Sequence, residues 1–231
     1  MEQIVNEAPP RAPLNRDRIL EAALRLSDTE GLDAVTMRRL GRELGVEAMS
    51  LYNHVEGKEA ILTGVLERVL AEFELPEGPP GDWIERSREL ARRFRELLLR
   101  HPGSIPLFSE KAGPITDLRA LRPIEVALAT LRRGGLSQEE TIHGYHALVG
   151  FVVGNVMLEV AGFLSPETED PDHMEQMLRA IPAQEVERFA NLIEMLPALH
   201  ECDPASEFEH GLDLLLAGLR NAASGPEGPP A

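Results

Sequence analysis

Cysteine is almost missing: Cys202 is the only one in 231 residues. That excludes an internal disulfide framework and any multi-cysteine zinc site, and it fits a reducing compartment, so a cytoplasmic location is expected. The N-terminal run MEQIVNEAPPRAP lacks a basic start followed by a long apolar stretch, which predicts no signal peptide. The most apolar segment, Leu148 to Leu164, is interrupted by Asn155, Glu159 and several glycines. It reads as a buried core helix, and no membrane association is expected. Positive charge is scarce too, with 23 Lys/Arg against 39 Asp/Glu and a net charge of −16. Phosphate binding wants the opposite sign, so composition alone does not point to nucleic acid. The deficit is uneven: residues 1–60 hold 8 Lys/Arg against 11 Asp/Glu, and the remainder holds 15 against 28. A small N-terminal unit can therefore still present a locally positive face. Internal repeats and convincing strand alternation are lacking. So are a nucleophile elbow, a phosphate loop and paired catalytic carboxylates, which argues against an enzyme.

What is there is helical periodicity nearly throughout. Residues 1–14 are rich in proline and polar groups and read as a loose arm. A helix is expected from Asn15, with Ile19, Ala22, Ala23 and Leu26 on one face, ending at Gly31. Thr36 is a suitable N-cap for a second helix carrying Met37, Leu40 and Leu44. Gly45 breaks it, a short helix follows over about 47–55, and Gly57 breaks that. The pattern from Lys58 to about Phe73 is again helical. The run Pro76 to Gly81 is the best domain boundary. It divides a unit at 15–75 from a larger one at 82–222. Further helices are expected from Asp82 to about Arg100 and at 118–133, 137–164, 183–196 and 204–222. Ser165 to Asp172 reads as a loop and 223–231 as a disordered tail. The fold class expected is all-α.

The informative segment is TMRRLGRELGVEAMSLYNHVEGKEAIL, residues 36–62. Its two short helices are too small to bury a core alone and need the flanking helices as backing. Leu51 and Val55, four apart, can point inward together, which leaves Met49, Ser50, Asn53, Tyr52 and His54 to face out. Such a face suits a helix pressed into a major groove, where amide side chains meet base edges and hydroxyls meet phosphates. Thr36 can offer its hydroxyl and nearby N–H groups to a phosphate, and Lys58 can pair with another. Arg38 and Arg39 add local positive charge. A helix–Gly–helix pattern taken alone also occurs in proteins that never touch DNA, with Tyr52 and His54 as packing residues.

The wording of the segment goes further. LNRDRILEAALRLSDTEGLDAVTMRRLGRELGV followed by SLYNHVEGKEAIL resembles the N-terminal domain of the TetR family of bacterial repressors, of the tetracycline repressor type. The resemblance implies a three-helix helix-turn-helix domain followed by a helical effector-binding and dimerisation domain. It implies a homodimer that releases a near-palindromic operator in double-stranded DNA when a small molecule binds. By the same resemblance Thr36, Arg38, Ala48, Met49, Ser50, Tyr52, Asn53, His54 and Lys58 fall on DNA-contacting positions. Arg38 is the expected base reader, since guanidinium can grip guanine O6 and N7 together.

The second half resembles the family's regulatory domain through LATLRRGGLSQEE, GFVVGNVMLE and the pair Trp83 and Phe94. Members of the tetracycline repressor type hold their drug through polar side chains and a histidine-bound magnesium. Here Leu90 stands at one key position, and the corresponding loop reads SIPLFSE, with Leu107 and Phe108 near the place of the histidine. The implied cavity is therefore largely apolar, lined by Leu90, Phe94, Phe108, Ile124, Leu128, Tyr145 and Val149, and no metal or other cofactor is expected. Each of these also reads as an ordinary core residue. The dimer interface is expected on 137–164 and 204–222, through Gly150, Gly154, Phe208, Leu212, Leu215, Leu216 and Leu219. His143 and His146 lie three apart with Glu139 and Glu140 one turn earlier. Without further ligands they read as solvated histidines rather than a metal site. Two rival readings stay open at this point: a helical binding protein with an unused head, and a constitutive regulator whose second domain only dimerises.

Overall fold

The computed structural model describes residues 13–78, 81–108, 113–162, 179–200 and 203–224. Among them the secondary structure is helical, with no strand. Helix α1 is Arg16–Glu30, α2 Met37–Leu44, α3 Ala48–Leu51, α4 Lys58–Ala71, α5 Trp83–Arg100, α6 Leu118–Arg133, α7 Gln138–Val160, α8 Ala190–His200 and α9 Pro204–Ala223. Short 3₁₀ turns lie at Leu32–Ala34, Pro102–Phe108 and Ala183–Phe189. The expected loop at Ser165 to Asp172, nearly all of the N-terminal arm, the tail beyond Ser224 and Cys202 lie outside the described residues.

Local chemistry sets the helix ends. Asn15 accepts from the Arg18 N–H at 2.9 Å, Thr36 from that of Arg39 at 3.1 Å, and Asp82 from that of Ile84 at 3.1 Å. Ser137 and Glu140 close a reciprocal capping box on α7. Gly45, with φ of 69°, takes the left-handed conformation that ends α2. A side chain at Gly41 would put a Cβ 2.9 Å from the Val46 carbonyl, so glycine is what lets α2 and α3 pack so closely. Three elements differ from the sequence expectation. Helix α3 is a single turn, its chain continuing as turns through His54; α7 stops at Val160; and 183–196 opens as a 3₁₀ turn before α8.

Two cores result. The first joins Ile19, Leu26, Leu40, Leu51, Ile61 and Val65 of the head to Leu97, Leu107 and Ala120 from beyond the expected boundary. The second is built from Ile84, Ala91 and Leu98 of α5, Val152 and Val156 of α7, and Phe208, Leu212 and Leu216 of α9. Phe94 and Phe108 touch both, edge to face at 5.6 Å. The connection after α4 is strapped to α5: Arg86 donates to the Pro76 carbonyl at 2.6 Å and Arg93 to that of Glu74 at 3.2 Å.

The expected dimer face on α9 needs correction. Phe208, Leu212 and Leu216 are buried inside the protomer, and Leu219 packs on the same core with Leu215 half-buried. Leucine periodicity cannot say which apolar face meets its own chain and which meets a second one. The outward side of α9 carries Leu214, Ala217 and Gly218 instead. On α7, Gly150 is exposed and Gly154 half-buried, and a Cβ added at either would meet nothing.

Candidate DNA-reading surface and effector cavity

Leu51 and Val55 are buried and anchor α3 to the head, which leaves its other residues toward solvent. Met49 is 72% exposed and Tyr52 50%, and Asn53 and His54 are exposed beside them. Ala48 and Ser50 are half-buried at the edge of this face. Thr36 is exposed, and because its oxygen already accepts from Arg39, its hydroxyl proton remains free to donate to a phosphate. Lys58 is exposed at the start of α4, where Gly57 supplies no side-chain cap and the first N–H groups can serve an anion.

The neighbouring arginines divide. Arg39 is clamped by Glu30 at 2.6 Å and Glu43 at 2.9 Å, and those hydrogen bonds push its pKa further up. Its charge is spent within the head, which corrects the expectation that both Arg38 and Arg39 serve the surface. Arg38 and Arg42, one turn apart, are both exposed and form no ion pair within 4 Å among the described residues, although the Arg42 charge helps hold the Glu30 carboxyl low. Arg42 was missed in the sequence, although its i+4 spacing from Arg38 was the available signal.

A cavity of about 360 Å³ lies where the two cores meet. Leu66 and Leu70 of α4, with Phe73 just past its end, form one wall. Ser87, Leu90, Ala91 and Phe94 of α5 form another, with Leu107 and Phe108 from the 3₁₀ turn. Pro123, Ile124, Ala127 and Leu131 of α6 face Tyr145, Leu148, Val149 and Val152 of α7. Leu90, Phe94, Phe108, Ile124, Tyr145 and Val149 are thus brought together; Leu128 lies off the wall, about 100° around α6 from Ala127. The α4 residues were missed because their periodicity belongs equally to the head's core. Among the described lining residues there is no aspartate, glutamate, lysine, arginine or histidine. Burial pushes the Tyr145 hydroxyl up, so it stays protonated at neutral pH.

The rim of the cavity hangs from α4. The Gly113 N–H donates to Thr63 Oγ1 at 2.8 Å. Glu67 Oε1 accepts from the Thr116 N–H at 2.6 Å, the Thr116 hydroxyl at 3.1 Å and the Asp117 N–H at 3.0 Å, while Arg16 of α1 lies 3.7 Å from Oε2. Burial alone would raise the Glu67 pKa, but the bonds from Thr116 and Asp117 with the Arg16 charge outweigh it and hold it low. A second tie joins head to body, since His101 lies 2.9 Å from Asp28 of α1 and 3.0 Å from Glu72. His143 and His146 are exposed on α7, and no group of three potential ligands occurs among the described residues.

Comparison with known proteins covers both halves. Residues 19–65 match the family model for bacterial regulatory proteins of the tetR family, and 75–223 that for the tetracyclin repressor-like C-terminal domain. The transcriptional repressor DrrR1 of Streptomyces coeruleorubidus is 29% identical over 214 residues, covering 91% of this chain and 78% of its own. The class D tetracycline repressor protein of Escherichia coli is 29% identical over 212 residues and 90% of each chain. The crystal structure of Streptomyces coelicolor ActR in complex with actinorhodin superposes with a TM-score of 0.77 at 32% identity, over 94% of this chain and 100% of that one. With its head, its cavity-bearing body and both family models in agreement, this chain belongs to the TetR family of transcriptional regulators.

Proposed function

We propose that the chain is a cytoplasmic homodimeric repressor that holds a near-palindromic operator through Thr36, Arg38, Ala48, Met49, Ser50, Tyr52, Asn53, His54 and Lys58, and lets go when a small, largely apolar effector enters the cavity between α4, α5, α6 and α7. Membership in the family makes it a DNA-binding transcriptional regulator and not an enzyme. The observation that carries the coupling is α4 itself. Its first residue, Lys58, stands on the DNA-reading surface, and its last turns, Leu66 and Leu70, form a cavity wall. A ligand that favours one placement of α4 therefore biases the spacing of two heads, and operator and effector affinities are reciprocally linked. Relatives fit this use, one named a transcriptional repressor and another crystallised with actinorhodin.

The dimer is assigned to the outward sides of α7 and α9. Helix α7 is long and apolar enough to cross a membrane. Its inner side nevertheless packs on α5, α6 and α9, and Glu159 pairs with Arg95 at 2.7 Å. Gly150, Met157 and Leu158 are exposed along α7, and with the outward side of α9 they offer an apolar face for a two-fold contact. An anisotropy titration against DNA upstream of the chain's own coding region tests the whole reading. It should give salt-dependent binding to a palindrome, two chains per site, reversed by a cavity ligand. Binding to no such site at low salt would overturn it.

A further inference from the structure

Among the described residues six polar side chains are buried as a whole, Ser27, Glu67, Ser87, Ser104, Thr130 and Thr141, and of these only Ser87 lacks a hydrogen-bond partner; single atoms of the less buried Asp28, Arg95 and Asn155 lack one too, but none of those three lines the cavity. Ser27 donates to the Leu24 carbonyl at 2.8 Å, Ser104 to that of His101 at 2.7 Å, Thr130 to that of Val126 at 2.7 Å and Thr141 to that of Ser137 at 2.7 Å. Buried Glu67 accepts its bonds from Thr116 and Asp117. Ser87 departs from them all. It is 3% exposed, it lines the cavity, and its Oγ has no hydrogen-bond partner. The common recourse of a helical serine, donation to the carbonyl one turn earlier, is not taken. A buried hydroxyl left unpaired is costly, and a native structure that keeps one needs a reason.

We propose that Ser87 is the polar anchor of the cavity, and that its ligand is a neutral aromatic molecule presenting a hydroxyl or carbonyl oxygen to the Ser87 hydroxyl. The proposal rests on the cavity being the effector site. Phe73, Phe94, Phe108 and Tyr145 supply aromatic walls against which flat rings pack. Among the described residues no lining side chain carries a charge, so an ionised ligand would shed hydration there with no ionic partner among them. A serine hydroxyl both donates and accepts, so a phenol and a quinone satisfy it equally. The space, about a dozen waters' worth, suits two or three fused rings.

Two probes of matched shape separate this inference from the reading beneath it: 1-naphthol and 1-methylnaphthalene, titrated calorimetrically into the full chain and into Ser87→Ala. The readout is the ratio of the two affinities, because the probes differ in hydration before they bind. That ratio should shift about five- to ten-fold against 1-naphthol in Ser87→Ala. Ser87→Ala should also melt no lower than the parent, since it removes an unpaired group, and 1-naphthoate should bind neither protein. An unchanged ratio with both probes still bound overturns the Ser87 role and leaves the cavity reading standing. A melting point lowered by Ser87→Ala shows that the hydroxyl has a structural partner and overturns the anchor as well. Failure of both neutral probes to bind the parent chain overturns the cavity reading together with the anchor.

Discussion

The head and the body of this chain use their side chains in opposite ways. In the head the interior is filled: Ile19, Val35, Leu40, Leu51 and Ile61 are all 0% exposed, and the information lies outside, on α3 and the ends of α2 and α4. In the body the information lies inside. Three of its polar atoms, on Ser87, Arg95 and Asn155, are buried without partners, against one on Asp28 in the head, and helices α5 to α7 leave a space unfilled beneath α4. A surface that reads DNA must be rigid, so its backing is close-packed. A body that responds to a ligand must keep room for it, and it gives up packing to do so.

The sharpest way to break that comparison is to remove the surface without touching the core. Tyr52→Ala combined with Lys58→Ala takes away two exposed groups on each head. Operator affinity should fall on the order of 1,000-fold or more, counting at least roughly 1 kcal/mol for each of two contacts on each of two heads. The melting temperature should stay within about 2 °C of the parent's, as befits surface substitutions. Retained binding in an anisotropy titration would mean that the face of α3 is not the reader. The next effect in size tests the interiors. Leu40→Ala opens a hole in a filled core and should cost about 3 kcal/mol in denaturant unfolding. Leu90→Ala enlarges a space that already exists and should cost about half that. Equal losses would mean that the body is packed as tightly as the head.

Legibility in the sequence follows the same division. Caps and breaks are local, so Asn15, Thr36, Gly45 and Asp82 could be placed by type and spacing, and the helices α1, α2, α5, α6 and α9 fell within a residue or so of expectation. The outward face of α3 was legible because Leu51 and Val55 fix which side is in. The cavity was less so. Six of its wall residues could be named through family resemblance, but no periodicity distinguishes an apolar side chain that touches a neighbour from one that faces a void, and Leu128 was drawn in for that reason. The same ambiguity turned Phe208, Leu212 and Leu216 toward the wrong partner. Ser87 left no trace at all, since only coordinates reveal an unmet hydrogen bond.

Glu67 sits where the two regions join, and acid should loosen that joint first. Its pKa is held below the ordinary glutamate value, so its contribution to stability is full above that value and fades as pH falls through the lower folded one. Glu67→Gln cannot titrate, and it keeps a carbonyl for the Thr116 and Asp117 N–H groups while losing the Arg16 attraction. It should melt about 3 °C lower at neutral pH and show a flatter decline in acid. An acid limb parallel to the parent's would remove Glu67 from the joint.

The smallest effect separates three arginines that look alike in sequence. Arg38 and Arg42 project from α2 without an ion pair, whereas Arg39, between them, is held by Glu30 and Glu43. Free guanidinium groups near a duplex displace counterions, so each one lost lowers the slope of log affinity against log salt by roughly one per head. Arg38→Ala should therefore weaken operator binding and, as a base reader, relax preference at one base pair of each half-site. Arg42→Ala should weaken it by several-fold for every sequence alike, with the reduced slope as its mark. Arg39→Ala should leave base preference unchanged, because the carboxylates already hold its charge. Removing that charge also frees Glu30 and Glu43 close to the DNA, so any loss it does produce should grow at low salt and disappear at high salt. A loss for Arg39→Ala that kept its size at every salt concentration would place Arg39 in direct contact with the operator and undo the division drawn between the three.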